Sequence, residues 1–90
     1  MEFIQSGSMI YFEDEKGKLL AEVTFPEVEA GVVNINHTFV DPSLRGQGVA
    51  GKLMKAAYES IKKENKKAIF GCPYAQKWFA EHEEYQDISA

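Results

Sequence analysis

Along the first forty positions apolar and polar residues alternate, and the alternation then gives way to a longer period. SMIYFEDE, residues 8–15, mixes β-branched and aromatic residues and predicts a strand. The DEKG that closes it predicts a tight turn in which Gly17 takes a positive φ. KLLAEVTF follows, with Leu19, Ala21, Val23 and Phe25 on one face and Leu20, Glu22 and Thr24 on the other, which is the period of a half-buried strand. Pro26 ends it, and EVEAG is expected to turn the chain. VVNINHTFV, residues 32–40, predicts a third strand, with Val33, Ile35, His37 and Phe39 on one face and Asn34, Asn36, Thr38 and Val40 on the other. Three strands joined by short connections imply an antiparallel meander.

Asp41-Pro42 breaks the pattern. Beyond the glycines, Val49, Leu53, Ala57 and Ile61 recur at i, i+4 with Met54 and Tyr58 beside them, predicting an amphipathic helix of about four turns. KAIFGC is a short apolar run and predicts a buried strand. A right-handed crossover through the helix would lay it parallel to the third strand. Pro73 suits the first position of a second helix, whose core face would carry Ala75, Trp78, Phe79 and His82. The tail YQDIS is expected to add a short edge strand. The fold class is therefore α+β, an antiparallel meander joined to one βαβ unit in the order β-β-β-α-β-α.

Composition narrows the function classes. Ninety residues, 44% hydrophobic and 27% charged, suit one small folded domain covering residues 1–90. MEFIQSGSM has neither a basic start nor an apolar run, so no signal peptide or membrane span is expected and the location is expected to be cytoplasmic. A single cysteine excludes an internal disulfide, and with two histidines it leaves no metal site expected. The net charge of −4 argues against general nucleic-acid binding. Yet residues 45–67 hold seven basic and two acidic side chains, so a local polyanion site and a solvated lysine-rich helix face both fit.

RGQGVAG, Arg45–Gly51, carries the chemistry. From Gly46 it reads G-x-G-x-x-G, but a dinucleotide site needs a doubly wound sheet and an acid ending the next strand, and that strand ends in Gly71-Cys72. As bare physics the loop suits an anion. Gly46 and Gly48 let backbone approach a ligand, N–H groups cluster at a helix N-terminus, and Arg45 stands at the rim. A plain strand-to-helix turn is the alternative.

VDPSLRGQGVAGKLM resembles motif A of the GCN5-related N-acetyltransferases, with Arg45, Gly48 and Ala50 at the signature positions of Q/R-x-x-G-x-G/A. Together with GCPYAQKWFAEHEEYQD it resembles an abbreviated, YjdJ-type subgroup. The resemblance implies acetyl-CoA as co-substrate. Its pyrophosphate would be held by the amides of Arg45, Gly46, Gln47, Gly48, Val49, Ala50 and Gly51, and its pantetheine arm would lie along Thr38 and Val40, where parallel strands splay apart in the family. An N–H near Phe39 would polarise the thioester carbonyl. Lys52 and Lys55 are candidates for the 3′-phosphate, with solvated lysines the alternative. Family members carry helices between the first two strands that help form the acceptor site; here only DEKG stands there.

Three side chains are candidates for catalysis. Cys72, at the start of a helix, suits a nucleophile or proton relay, or else a small buried hydrophobe. His37 suits a base toward an amine acceptor, or else a buried histidine bonded to a carbonyl; strand pairing would bring it near Cys72. Tyr74 matches by position the family's acid that protonates the leaving thiolate. His82 is expected to cap or pack near a helix end. The expected function is acetyl transfer to an unidentified amine, by a monomer or weak dimer without nucleic-acid or membrane partners. A module that only holds acetyl-CoA is the alternative, and a fold that keeps the loop for structure alone is the third.

Overall fold

The computed structural model, which describes residues 2–90, divides the stretch Val32–Val40 into two strands belonging to different sheets. In chain order the strands are β1 (Ile4–Ser6), β2 (Met9–Glu13), β3 (Leu19–Thr24), β4 (Glu27–Glu29), β5 (Val32–Ile35), β6 (His37–Val40) and β7 (Lys67–Phe70). A 3₁₀ turn (Pro42–Leu44) leads into α1 (Val49–Lys63), and α2 (Pro73–Glu81) follows β7. A 3₁₀ segment (Glu83–Ile88) takes most of the place of the expected last strand, of which a single parallel bridge, Ala68 to Ser89, is formed. No helix among the described residues is long and apolar enough to cross a membrane.

One sheet has the order β1-β2-β3-β6 and is antiparallel throughout. The other has the order β4-β5-β7, with β4 antiparallel and β7 parallel to β5. The meander and the βαβ unit are thus both present, and the fold is α+β. Two strands escape the pattern reading. β1 and β4 are three residues long and exposed at every position, so neither shows alternation.

The division falls at Asn36 and is a β-bulge. Asn36 N–H donates to Thr24 O (3.2 Å), yet the register partner of Thr24 is His37, so two residues oppose one. The extra residue inverts the faces beyond it. Val33 and Ile35 are buried, but His37 is exposed and turns outward with Phe39. Thr38 and Val40, paired with Val23 and Ala21, take the inner face. The expectation that Val33, Ile35, His37 and Phe39 share one face is therefore corrected.

Both helices pack on the inner face. α1 buries the predicted Val49, Leu53, Met54, Ala57, Tyr58 and Ile61 against Ile10, Ala21, Val23, Val33 and Ile35. α2 buries Ala75, Trp78 and Phe79. His82 follows as its C-cap; its Nδ1 lies 2.7 Å from Trp78 O and its ring stacks on Trp78 at 4.0 Å, the packing near the helix end that was expected of it. Gly51 passes so close to Trp78 that a Cβ there would stand 3.2 Å from the indole nitrogen, which gives this glycine a packing role. Among the described residues no helix covers the outer face, with Tyr11, Glu22, Thr24, His37 and Phe39, because the β2–β3 connection is only a tight hairpin.

Candidate functional site

The bulge opens a slot. β5 pairs with β7 as far as Ile35 and Phe70, and Cys72 N–H makes one further bond to Ile35 O (3.0 Å). Beyond it β6 bends toward β3 and β7 runs into α2. In an antiparallel ladder alternate residues turn their main-chain groups to the partner. Asp41 N–H donates to Leu20 O (2.7 Å), so Phe39 and His37 share that orientation toward β3. Thr38 and Val40 turn theirs to the slot. The Phe39 amide faces Glu22 across the ladder, so the slot-facing amides nearest to it are those of Thr38 and Val40.

The far end of the slot is the glycine loop. Asp41 caps the 3₁₀ turn, accepting from Ser43 N–H (3.0 Å) and Ser43 Oγ (2.6 Å), and the Ser43 hydroxyl leads in holding its carboxyl below the usual range. Gly46 and Gly48 then adopt φ of +79° and +70°, the left-handed region where a Cβ is costly. Gly48 is the residue before α1 and supplies no side-chain cap. The first helical bond is Lys52 N–H to Gly48 O (3.2 Å), so the N–H groups of Val49, Ala50 and Gly51 precede any i→i−4 partner. Those donors, and the positive end of the helix dipole, are what a phosphate needs. A cleft of about 270 Å³ joins Val40, Leu44, Arg45, the glycines and Tyr74.

The basic stretch is not one surface. At the far end of α1, Lys62 pairs with Asp87 (2.8 Å), Lys66 with Glu27 (2.8 Å) and Glu64 (3.0 Å), and Lys67 Nζ donates to Asp87 O (2.7 Å). Those three lysines tie the helix end to β4 and the tail. Arg45, Lys52 and Lys55 stay exposed at the loop end.

Cys72 is buried and stands at the N-terminus of α2, its Sγ 3.7 Å from Thr38 Oγ1. Burial is the largest single influence and pushes the thiol up. The N–H groups of Ala75, Tyr74 and Thr38 and the Thr38 hydroxyl together outweigh it, so the thiol titrates below its ordinary value. Tyr74 is 39% exposed; partial burial first, and the Glu81 carboxylate second, push its phenol up and keep it protonated. His37 lies elsewhere. Its ring is 55% exposed on the outer face, with Nε2 3.3 Å from Glu22 Oε2, which corrects the buried setting expected of it. Thr38, the neighbour that touches Cys72, faces inward, so the expected Cys72–His37 juxtaposition is not formed.

Two partners were not foreseen. Glu22 reaches His37 diagonally across the β3–β6 ladder, a contact legible only once the bulge sets the register. Thr38 meets Cys72 across the slot, between strands that do not pair there.

Residues 9–88 match the family model described as GCN5-related N-acetyl-transferase. Among curated relatives, Protein NATD1 of Mus musculus is 36% identical over 62 residues, 69% of this chain and 56% of that protein. The human protein matches equally, over 55% of its length. The chain thus spans a little over half the length of these relatives. A GCN5-like protein of Staphylococcus aureus, solved in solution, superposes with a TM-score of 0.83 at 36% identity, covering 99% of this chain and 87% of that one. The Escherichia coli protein YhbS, solved with CoA, shares the fold alone, at TM-score 0.61 and 22% identity over 69% of this chain and 38% of that one.

Proposed function

This chain belongs to the GCN5-related N-acetyltransferase family, and we propose that it binds acetyl-CoA through Arg45–Gly51 and transfers the acetyl group to an amine. The observation that carries the reading is the cleft in which Val40, the uncapped start of α1 and Tyr74 meet. The loop amides would hold the diphosphate, and the free main-chain groups of Thr38 and Val40 would pair with the pantetheine arm as an added strand does. One of those N–H groups would sit on the thioester carbonyl and stabilise the oxyanion. Lys52 and Lys55, exposed on the first turns of α1, would meet the 3′-phosphate.

The helix-free outer face leaves the acceptor a route to the slot from the opposite side of the sheet. In the direct route the amine nitrogen bonds to the carbonyl carbon, the C–S bond breaks, and Tyr74 gives its proton to the leaving sulfur. His37, oriented by Glu22, takes the proton from the amine. In the alternative route the Cys72 thiolate attacks first, Tyr74 again protonates the departing CoA, and S-acetyl-Cys72 passes its acetyl group to the amine. A small amine, a polyamine and a protein lysine or N-terminus all fit this chemistry. We take residues 1–90 to act as one domain, in the cytoplasm, as a monomer or weak dimer.

A specific observation favours a second reading, a module that holds acetyl-CoA without efficient turnover. The tight β2–β3 hairpin puts no helix over the acceptor side. Intact-protein mass spectrometry after incubation with acetyl-CoA, with and without an amine panel, separates the two. Acetylated amine and free CoA thiol support the enzyme, and an acetyl group on Cys72 that disappears on adding amine supports the covalent route. Binding without release of thiol supports the module. Cys72→Ala should keep binding; retained turnover in that variant eliminates the covalent route.

A further inference from the structure

The turn that carries Cys72 is built around Asn34, a residue with no part in the proposed chemistry. Gly71 N–H donates to Asn34 Oδ1 (2.9 Å), and the amide lies so close that a Cβ on Gly71 would stand 2.6 Å from that oxygen. Cys72 N–H donates to Ile35 O (3.0 Å). Two consecutive amides are thus both taken up by β5. A regular strand cannot do this, because its N–H groups alternate sides. The backbone is turned at Gly71 by the Asn34 side chain. Gln76 Nε2 completes the turn by donating to Phe70 O (2.8 Å).

The opposite arm of the slot is fixed by the same kind of contact. Thr24 Oγ1 donates to Asn36 Oδ1 (2.6 Å), pinning the bulge to β3 and with it the bend that brings Thr38 to face the thiol. One side-chain amide therefore stands on each arm, at the residues where β5, β6 and β7 part.

We infer that Asn34 is a positioning residue, holding the Gly71–Cys72 turn so that Sγ of Cys72 faces Thr38 across the slot. The inference rests on the reading of this slot as the acetyl-transfer site, but its geometry does not require acetyl-CoA to be present. The N–H groups of Ala75, Tyr74 and Thr38 and the Thr38 hydroxyl are the groups that act on the sulfur; among the described residues no charged side chain does. Tyr74, on the same turn of α2, is the neighbouring titratable group.

Cys72 is the only cysteine, so alkylation by iodoacetamide reads it without ambiguity. The test follows alkylation rate against pH in folded wild type, Asn34→Ala, Thr38→Val and the double variant, with circular dichroism as the check on folding. Asn34→Ala should raise the midpoint by about half a pH unit or more toward that of a free thiol, as the donors lose their aim. Thr38→Val should also raise it, and the double variant should shift little further than the larger single one, because both act on one alignment. An unchanged midpoint in folded Asn34→Ala, or full additivity, overturns the proposal. Should Asn34→Ala not fold, Gly71→Ala, whose Cβ displaces the same amide, takes its place with the same expectation; failure of both to fold makes the contact purely structural and also overturns it. If wild type neither binds CoA nor releases thiol, the acetyl-transfer reading falls while the midpoint comparison still decides this one.

Discussion

Gly48→Ala separates the conformational role of the loop from its binding role. Gly48 has φ +70° and ψ 21°, the left-handed region, at the last position before α1. A Cβ built there meets nothing within 4 Å, so the folded chain resists it through backbone strain alone. That strain is about 1–2 kcal/mol for an L-residue. In a domain of this size it lowers Tm by about 4–8 °C per kcal/mol, so a fall of roughly 4–16 °C is expected, with the fold retained. The same methyl would project toward the space where a diphosphate must approach the N–H groups of Val49 and Ala50. CoA affinity should therefore fall tenfold or more, each factor of ten being about 1.4 kcal/mol. Gly48→Asn should separate the two effects, because asparagine tolerates this conformation: stability is nearly restored while binding stays weak. Thermal denaturation and isothermal titration with CoA read both quantities. Wild-type affinity in Gly48→Ala and Gly48→Asn alike would refute the reasoning, since the open face of the loop would then not be where the anion sits.

Leu53 is fully buried in the middle of α1, so Leu53→Ala should cost about 2–5 kcal/mol in denaturant unfolding, a large share of the stability of a domain this small. The rate of acetyl transfer should depend on pH with a broad plateau. Burial pushes Cys72 up but the donors around it win, so its limb should rise at lower pH than that of an ordinary thiol, whereas Tyr74, pushed up by burial and then by Glu81, should hold its proton to higher pH than an ordinary phenol. Persistence of the lower limb in Cys72→Ala, with turnover retained, would assign that limb to another group. His37→Gln should slow transfer to an amine while leaving CoA affinity unchanged, as expected of a side chain on the face opposite the loop; a matching loss of CoA affinity in titration would contradict that placement.

How much of this was legible depended on whether each feature leaves a periodic mark. α1 did, because Val49, Leu53, Ala57 and Ile61 stay in phase over four turns and all are buried. The loop did, because left-handed positions at a helix start call for glycine, and Gly46 and Gly48 are there. The bulge at Asn36 did not. One inserted residue changes no composition, yet it reverses every side chain after it, and for that reason alone His37 was placed inward and beside Cys72. β1 and β4 were silent because exposed three-residue strands have no alternation to show. The Thr38–Cys72 and Asn34–Gly71 contacts join residues more than thirty positions apart and need the three-dimensional register before they can be seen.

The central claim is that main-chain amides where β6 gives way to α1 grip the diphosphate of CoA. The direct measurement is a CoA titration of ¹⁵N-labelled protein followed by amide resonances. Saturable shifts concentrated on Thr38, Val40 and Gly46 through Gly51, with the β1–β2 hairpin and the Glu83–Ile88 segment still, are the predicted result. Unmoved resonances in that loop at millimolar CoA, or shifts confined to Lys62–Lys67 at the far end of α1, would contradict it.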